Sequence, residues 1–146
     1  MQSFMRMVNR TARLSHLYRE AKFKSLRLKG MHHSYINNIC RYPGISQESL
    51  AQKIIVNKSN VARQLNYLEK VGYIYREVST VDARERLVYP TAKAFDVLPF
   101  ITTTLKEWND LVMSGLSEEE QRYLIKMMEK VFNNATAGVE QLEVGE

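Results

Sequence analysis

The residues that start and stop helices divide the middle of the chain into short pieces, and this division constrains the fold more than any other feature. The Pro43-Gly44 pair breaks a preceding helix, and Ser46 can cap a short helix that follows. Asn57 can cap a second, longer helix, which Gly72 ends. Two helices joined by so few residues pack across a tight turn, so the spacing predicts a helix-turn-helix.

The segment after Gly72 has the composition of a β-hairpin. Residues 73–78 and 87–89 are rich in β-branched and aromatic side chains, which favour strands. Between them, residues 79–86 form a charged tip. A hairpin that directly follows a helix-turn-helix is a wing, so we predict a winged helix-turn-helix with a two- or three-stranded β-wing.

Longer helices are predicted on both sides of this unit. Residues 3–29 contain neither Gly nor Pro and repeat apolar side chains at steps of three and four, which predicts one helix that Gly30 ends. A second helix is predicted over 32–41. After the wing, residues 92–114 have a helical apolar pattern, and residues 117–120 have the spacing of a capping box that starts a last helix. The chain is therefore predicted to be mainly α.

Length and composition predict a single cytoplasmic domain over residues 1–146. The chain is long enough for one hydrophobic core, and 45% of it is hydrophobic and 25% charged. No apolar run approaches the roughly 20 residues that a membrane-spanning helix needs, and no signal-peptide pattern opens the chain. The single cysteine, Cys40, cannot form an internal disulfide, which fits a reducing compartment.

Charge is distributed unevenly along the chain. Residues 1–40 hold eight Lys and Arg against one acid, a net of +7, and residues 41–93 hold nine against five, a net of +4. Residues 94–146 hold four against ten, a net of −6. The first two blocks suit a polyanionic partner. The acidic block would repel the same polyanionic partner, or it would face the basic block across an interface.

The predicted helix 58–71 combines an apolar side with a polar side. Val61, Leu65 and Leu68 lie on one side and should face the core. The opposite side carries no carboxylate and consists of Ser59, Asn60, Arg63, Asn66, Tyr67 and Lys70, with Gln64 at its flank. Arg, Asn and Gln are the residues that read base edges in the DNA major groove, and a capped helix start can bind a phosphate. The other reading of such a face is a solvated surface.

The charged hairpin tip fits the minor groove of DNA. When a helix occupies the major groove, the following hairpin lies over the neighbouring minor groove, where the negative potential attracts Arg. Asp82 can orient Arg84 through a bidentate pair. Arg86 lies on the same side of the strand as Arg84 and can bind a phosphate. Solubility alone would not require this order of charges.

Three stretches together resemble the MarR family of winged-helix transcriptional regulators: I-S-Q-E-S-L-A-Q-K at 45–53, N-K-S-N-V-A-R-Q-L-N-Y-L-E-K-V-G-Y-I-Y-R at 57–76 and D-A-R-E-R-L-V-Y-P-T at 82–91. The resemblance is dense over 44–95 and extends, as helix order, over nearly the whole chain. It implies a homodimer on a pseudo-palindromic operator in double-stranded DNA. The winged-helix part would span about 31–91, with dimerisation helices in 1–30 and 92–146. It also implies that helix 58–71 lies in the major groove and Arg84 in the minor groove.

The predicted DNA-binding residues are Ser46, Asn57, Lys58, Ser59, Asn60, Arg63, Gln64, Asn66, Tyr67, Asp82, Arg84 and Arg86. The resemblance further implies a repressor that is released by a small-molecule or stress signal. The effector would be a small aromatic or acidic molecule bound between the dimer helices and the winged domain. The candidate effector residues are Arg13, His16, His33 and Tyr35.

Other functions find less support in the sequence. No Gly-rich phosphate loop, G-x-S-x-G or zinc-deaminase motif occurs, so neither an enzyme nor a cofactor is expected. A winged-helix module for an acidic protein partner is the main alternative, although a protein-binding helix would present large apolar anchors.

Two sensing functions also stay open. The adjacent His32 and His33 point about 100° apart on a helix and cannot chelate one metal ion together. They or His16 could still join an acid across the dimer. Cys40 would sense oxidants if Arg41 favoured its thiolate, whereas a buried Cys is inert.

Overall fold

The computed structural model describes residues 3–144 and follows the predicted order of elements. Its helices are α1 (Phe4–Phe23), α2 (His32–Arg41), α3 (Gln47–Ile54), α4 (Lys58–Lys70), α5 (Ala92–Val112) and α6 (Glu118–Val144). Its strands are β1 (Ile45–Ser46), β2 (Ile74–Val78) and β3 (Arg86–Pro90). A short 3-10 turn, Lys24–Leu26, follows α1. No helix within residues 3–144 combines the length and the apolar character that a bilayer span requires.

The wing is a three-stranded antiparallel sheet in the order β1-β3-β2. β2 and β3 pair over five residues, from Ile74 opposite Pro90 to Val78 opposite Arg86. β1 contributes only two residues, and Ile45 pairs with Val88. Both of these side chains are buried, so the third strand forms because it closes the core beneath the helix-turn-helix.

The helix-turn-helix forms where the capping residues predict it. The Ser46 Oγ accepts from the backbone N of Ser49 at 3.0 Å, and the Asn57 Oδ1 accepts from the backbone N of Asn60 at 2.8 Å. Gly72 has a φ of +87°, a left-handed conformation that suits glycine at the end of α4. The core between the helices contains Ile36, Ile39, Leu50, Ala51, Val61, Leu65, Leu68 and Val88.

The predicted end of the first helix at Gly30 is wrong. α1 ends at Phe23, because Arg27 adopts a left-handed φ of 58° and the backbone N of Leu28 bonds the carbonyl of Phe23 at 3.3 Å. This reversal buries both Phe23 and Leu28 in the core. Gly30 instead allows a close approach, since a Cβ there would lie 2.8 Å from the backbone oxygen of His16.

The chain divides into two compact units, one ending at Trp108 and one beginning at Asn109. The first contains the winged helix-turn-helix. In the second, the predicted capping box forms: Ser117 N donates to Glu120 Oε2 at 2.7 Å, and Glu120 N donates to Ser117 Oγ at 3.1 Å. Side chains of residues 118–143 are all exposed or half-buried. The predicted assignment of 1–30 and 92–146 to dimerisation stays a prediction.

Candidate nucleic-acid interface

One face of α4 is polar and free of carboxylates. Its buried side consists of Val61, Leu65 and Leu68, as predicted. The exposed side chains on this face are Ser59, Arg63, Asn66 and Lys70, while Asn60, Gln64 and Tyr67 are half-buried. Lys58 and Glu69 are also exposed and lie at its edge. The first turn contains no acidic residue, so the positive end of the helix dipole is not neutralised there.

The wing tip is an ordered loop. The Ser79 Oγ accepts from the backbone N of Val81 at 3.2 Å and of Asp82 at 3.3 Å. One oxygen of Asp82, Oδ1, accepts from both the backbone N of Arg84 at 3.0 Å and its Nε at 3.3 Å. The prediction of a bidentate pair is therefore wrong. A single carboxylate oxygen contacts the Arg84 side chain, and the same oxygen also closes the turn. The Arg84 side chain is 91% exposed, which leaves its terminal nitrogens available to a ligand.

A groove of about 510 Å³ lies between the wing and the starts of α3 and α4. The residues that line it are Gln47, Glu48, Lys58, Asp82, Arg84, Glu85 and Arg86. Two of its cations are paired with carboxylates: Lys58 with Glu48 at 3.0 Å and Arg84 with Asp82 at 3.3 Å. The groove brings together predicted contact residues that lie far apart in the sequence. An anion that enters it would meet three basic side chains and three carboxylates.

Among the predicted contact residues, Ser46, Gln64 and Tyr67 use their polar groups to hold the helix-turn-helix together. Ser46 is 8% exposed and caps α3. The Oε1 of Gln64 lies 2.8 Å from the Nε2 of His32. The Tyr67 hydroxyl donates to the carbonyl of Arg27 at 2.6 Å, and its ring stacks on His32 with centroids 5.4 Å apart. These side chains shape the face of α4 and hold it against the preceding segment.

Comparison with known proteins agrees with this architecture. The model of the MarR family matches residues 28–85. The uncharacterised HTH-type transcriptional regulator YybA of Bacillus subtilis (strain 168) is 26% identical over 145 residues, which cover 99% of this chain and 97% of that protein. The structure of the transcriptional regulator SlyA has a TM-score of 0.91 and 28% identity, covering 97% of this chain and 99% of that one. The chain is similar to MarR-family regulators in sequence and in fold.

This similarity confirms the predicted winged-helix fold and agrees with the expectation that the protein is not an enzyme. A putative MarR family transcriptional regulator from Listeria monocytogenes, solved in complex with a 26mer DNA, has a TM-score of 0.84 and 27% identity. The match covers 92% of this chain and 89% of that one.

Arg76, within the MarR-like stretch 57–76, is a site residue that the sequence analysis missed. Its guanidinium bonds Glu69 Oε2 through Nε at 2.9 Å, Asn66 Oδ1 through Nη2 at 2.7 Å and Gln47 Oε1 through Nη1 at 3.1 Å. It thereby ties β2 to α4 and to the start of α3. Strand alternation was the available signal, since Arg76 shares the inward side of β2 with the buried Ile74.

The candidate effector residues do not form one site within a single chain. Arg13 lies in an exposed groove on α1 with Arg6, Asn9 and Arg10. Tyr35 is in the core, and its hydroxyl is buried without a hydrogen-bond partner in the described part of the chain. Burial raises the pKa of that hydroxyl.

The other two candidates are held close to Gly30. His16 Nε2 lies 3.2 Å from Glu20 Oε1, and His33 Nδ1 bonds the Gly30 carbonyl at 2.8 Å. Burial lowers the pKa of His33, against the opposing effect of that backbone hydrogen bond.

The two sensing alternatives find no support in the geometry. Cys40 is half-buried, and burial raises the pKa of its thiol, which disfavours the reactive thiolate. Within residues 3–144, no three His, Cys, Asp or Glu side chains are grouped so that they could hold a metal ion.

Proposed function

We propose that this protein is a sequence-specific transcriptional regulator of the MarR type that binds double-stranded DNA as a homodimer, with α4 in the major groove and the wing in the minor groove. The observation that carries the proposal is the carboxylate-free face of α4 beside a wing whose Arg84 is exposed and oriented by Asp82. The DNA complex of the Listeria monocytogenes relative supports it.

Charge supports a polyanionic partner. Residues 1–93, which contain the helix-turn-helix and the wing, hold seventeen Lys and Arg against six acids, a net of +11. Each DNA phosphate that a cation neutralises releases counterions, so the logarithm of affinity falls by about 0.9 per phosphate for each tenfold rise in salt. The proposed contacts are the twelve predicted residues, with Ser46, Gln64 and Tyr67 acting through the shape of the helix-turn-helix.

Exposed apolar side chains support the homodimer. On α1 they are Phe4, Met5, Met7, Leu14 and Leu17, and on α6 they are Tyr123, Leu124, Ile125, Phe132, Val139 and Leu142. Apolar surface of this extent is typical of a protein interface. A two-fold dimer would read a near-palindrome with half-site centres about one helical turn, roughly 10 bp, apart.

We expect the dimer to act in the cytoplasm as a repressor that a small aromatic or acidic effector releases. Arg13, His16, His33 and Tyr35 remain its candidate contacts. An acidic protein partner is not favoured, because the exposed face of α4 carries small polar, amide and cationic side chains in place of large apolar anchors.

A mobility-shift assay on the DNA upstream of the protein's own gene tests the proposal. We expect a single dimeric complex whose affinity falls steeply as salt rises. A control fragment of equal length from inside the coding region should bind more weakly by at least about a thousandfold, the lower range for specific recognition. Equal affinity for both fragments would contradict sequence-specific binding.

A further inference from the structure

The amide of Asn66, on the exposed face of α4, can adopt only one orientation. Its Oδ1 lies 2.7 Å from Nη2 of Arg76. A guanidinium can only donate hydrogen bonds, so the Asn66 atom that faces it must be the oxygen. The NH2 group of Asn66 is therefore turned away from Arg76. The same reasoning fixes the amide of Gln47, whose Oε1 lies 3.1 Å from Nη1.

The amide of Gln64 is fixed by a different donor. The Nδ1 of His32 accepts from the backbone N of Lys29 at 2.9 Å, so the ring hydrogen lies on Nε2 in the neutral form. The protonated ring also carries a hydrogen there. Since Nε2 lies 2.8 Å from Gln64, the atom that faces it is the oxygen. The NH2 group of Gln64 points toward the Oδ1 of Asn60, at 3.4 Å.

Both donors are themselves held firmly. The Arg76 side chain is 20% exposed and has a third bond, to Glu69 at 2.9 Å. His32 is fully buried and stacked against Tyr67. Neither can turn away to release the amide that it holds without breaking these contacts.

We propose that Arg76 is a positioning residue that fixes the amide of Asn66 with its NH2 group outward, so that Asn66 reads a hydrogen-bond acceptor on a base edge. His32 fixes the neighbouring amide of Gln64 in the same way, with its NH2 group toward Asn60. The inference rests on the proposed function. A freely rotating Asn or Gln pairs with adenine through both N6 and N7. Here the amide oxygen already serves the protein, so the outward group is a donor. The acceptors it can meet in the major groove are guanine N7 and O6, adenine N7 and thymine O4.

Base analogues test this reading on the full-length protein. The probe is a duplex selected by the protein from a randomised double-stranded DNA library, with affinity measured by fluorescence anisotropy at fixed salt. Replacing single purines under α4 by 7-deazapurines removes the N7 acceptor and should weaken binding by about tenfold, within the range of one specific base contact. Removing the N6 amino group of an adenine should leave the affinity within about twofold.

Asn66→Asp is the sharpest variant, because it keeps the shape of the side chain and the oxygen that Arg76 binds. It replaces the outward donor by an acceptor, so the preferred base should shift to cytosine, whose N4 donates. The matched control is Gln52→Glu, an exposed amide on α3 that gives the same change of charge. This control should lower affinity without shifting the preference. Arg76→Met should reduce the base preference at the position that Asn66 reads by about tenfold.

The outcomes distinguish failure of this inference from failure of the proposed function. Loss of binding on removal of an adenine N6, as large as that on removal of N7, would show bidentate adenine reading and overturn the inference. So would an unchanged base preference in Asn66→Asp, and this variant decides alone if Arg76→Met unfolds. If the parent protein enriches no sequence from the library, the proposed function fails and this inference with it.

Discussion

The wing provides a prediction in which two physical arguments have opposite signs. Asp82→Ala removes a carboxylate from a surface proposed to meet DNA phosphates, so simple electrostatics expects tighter binding. The structure expects weaker binding, because the same carboxylate holds both the backbone N and the Nε of Arg84. Fluorescence anisotropy on the upstream DNA, at two salt concentrations, measures which effect is larger.

The magnitudes decide the expected sign. Two unit charges about 8 Å apart in water interact by about 0.5 kcal/mol, which is the repulsion that Asp82→Ala relieves. A specific Arg contact to DNA is worth about 1–3 kcal/mol, which Arg84→Ala should lose entirely. If an Arg84 without its Asp82 partner loses half of the upper value, binding weakens by about 1.5 kcal/mol. The relieved repulsion returns about 0.5 kcal/mol, so the net effect of Asp82→Ala is a loss of about 1 kcal/mol, or roughly fivefold in affinity. The exposed pair itself contributes only about 0–1 kcal/mol to the free energy of unfolding, so the fold should persist.

Two controls separate orientation from charge. Asp82→Asn removes the charge but keeps an oxygen that can accept from Arg84, so its affinity should stay near or above that of the parent. Glu85→Ala removes a carboxylate from the same groove, and binding should tighten slightly. Tighter binding by Asp82→Ala together with no effect of Arg84→Ala would refute the reasoning, and the tip would be a solvated hairpin.

Three further predictions concern assembly and stability. Deleting residues 117–146 should give monomeric or unstable protein with weaker DNA binding, measured by sedimentation; a truncated dimer that binds normally would refute the role of α6. Burial lowers the pKa of His32, so the unfolded state binds the extra proton and the free energy of unfolding should decrease as pH falls below about 6.5. Thermal melts should show part of this pH dependence missing in His32→Leu, and an unchanged slope would contradict the assignment. Gly30→Ala should cost about 1–3 kcal/mol in denaturant unfolding because the new Cβ meets a backbone oxygen of α1. Gly138→Ala, which meets nothing within 4 Å, is its control, and equal stability of the two variants would count against the close approach.

The parts of the fold that local chemistry determines could be predicted from the sequence. The caps at Ser46 and Asn57 and the stop at Gly72 act on neighbouring backbone groups, so residue type and spacing were enough. The end of α1 depends instead on burying Phe23 with Leu28, a tertiary effect that the helical periodicity of 3–29 could not reveal.

The same limit applies to the candidate site. The exposed face of α4 follows from helical geometry and was predicted. The residues that orient it were not, because they lie on other elements: Arg76 on β2 bonds Asn66, and His32 on α2 bonds Gln64, which is 32 residues away. The sequence left open a metal role for a histidine and an acid across the dimer, whereas the structure gives the buried His32 a hydrogen bond to Gln64.

Dimethyl sulfate footprinting of the upstream DNA tests the central claim most directly, because the reagent methylates guanine N7 in the major groove and adenine N3 in the minor groove. The account predicts two protected guanine N7 clusters about one helical turn apart, related by two-fold symmetry, with protected adenine N3 positions beside them. Arg84→Ala should abolish only the adenine protection. A single asymmetric cluster, or protection confined to one groove, would contradict a dimer that reads the major groove with α4 and the minor groove with its wing.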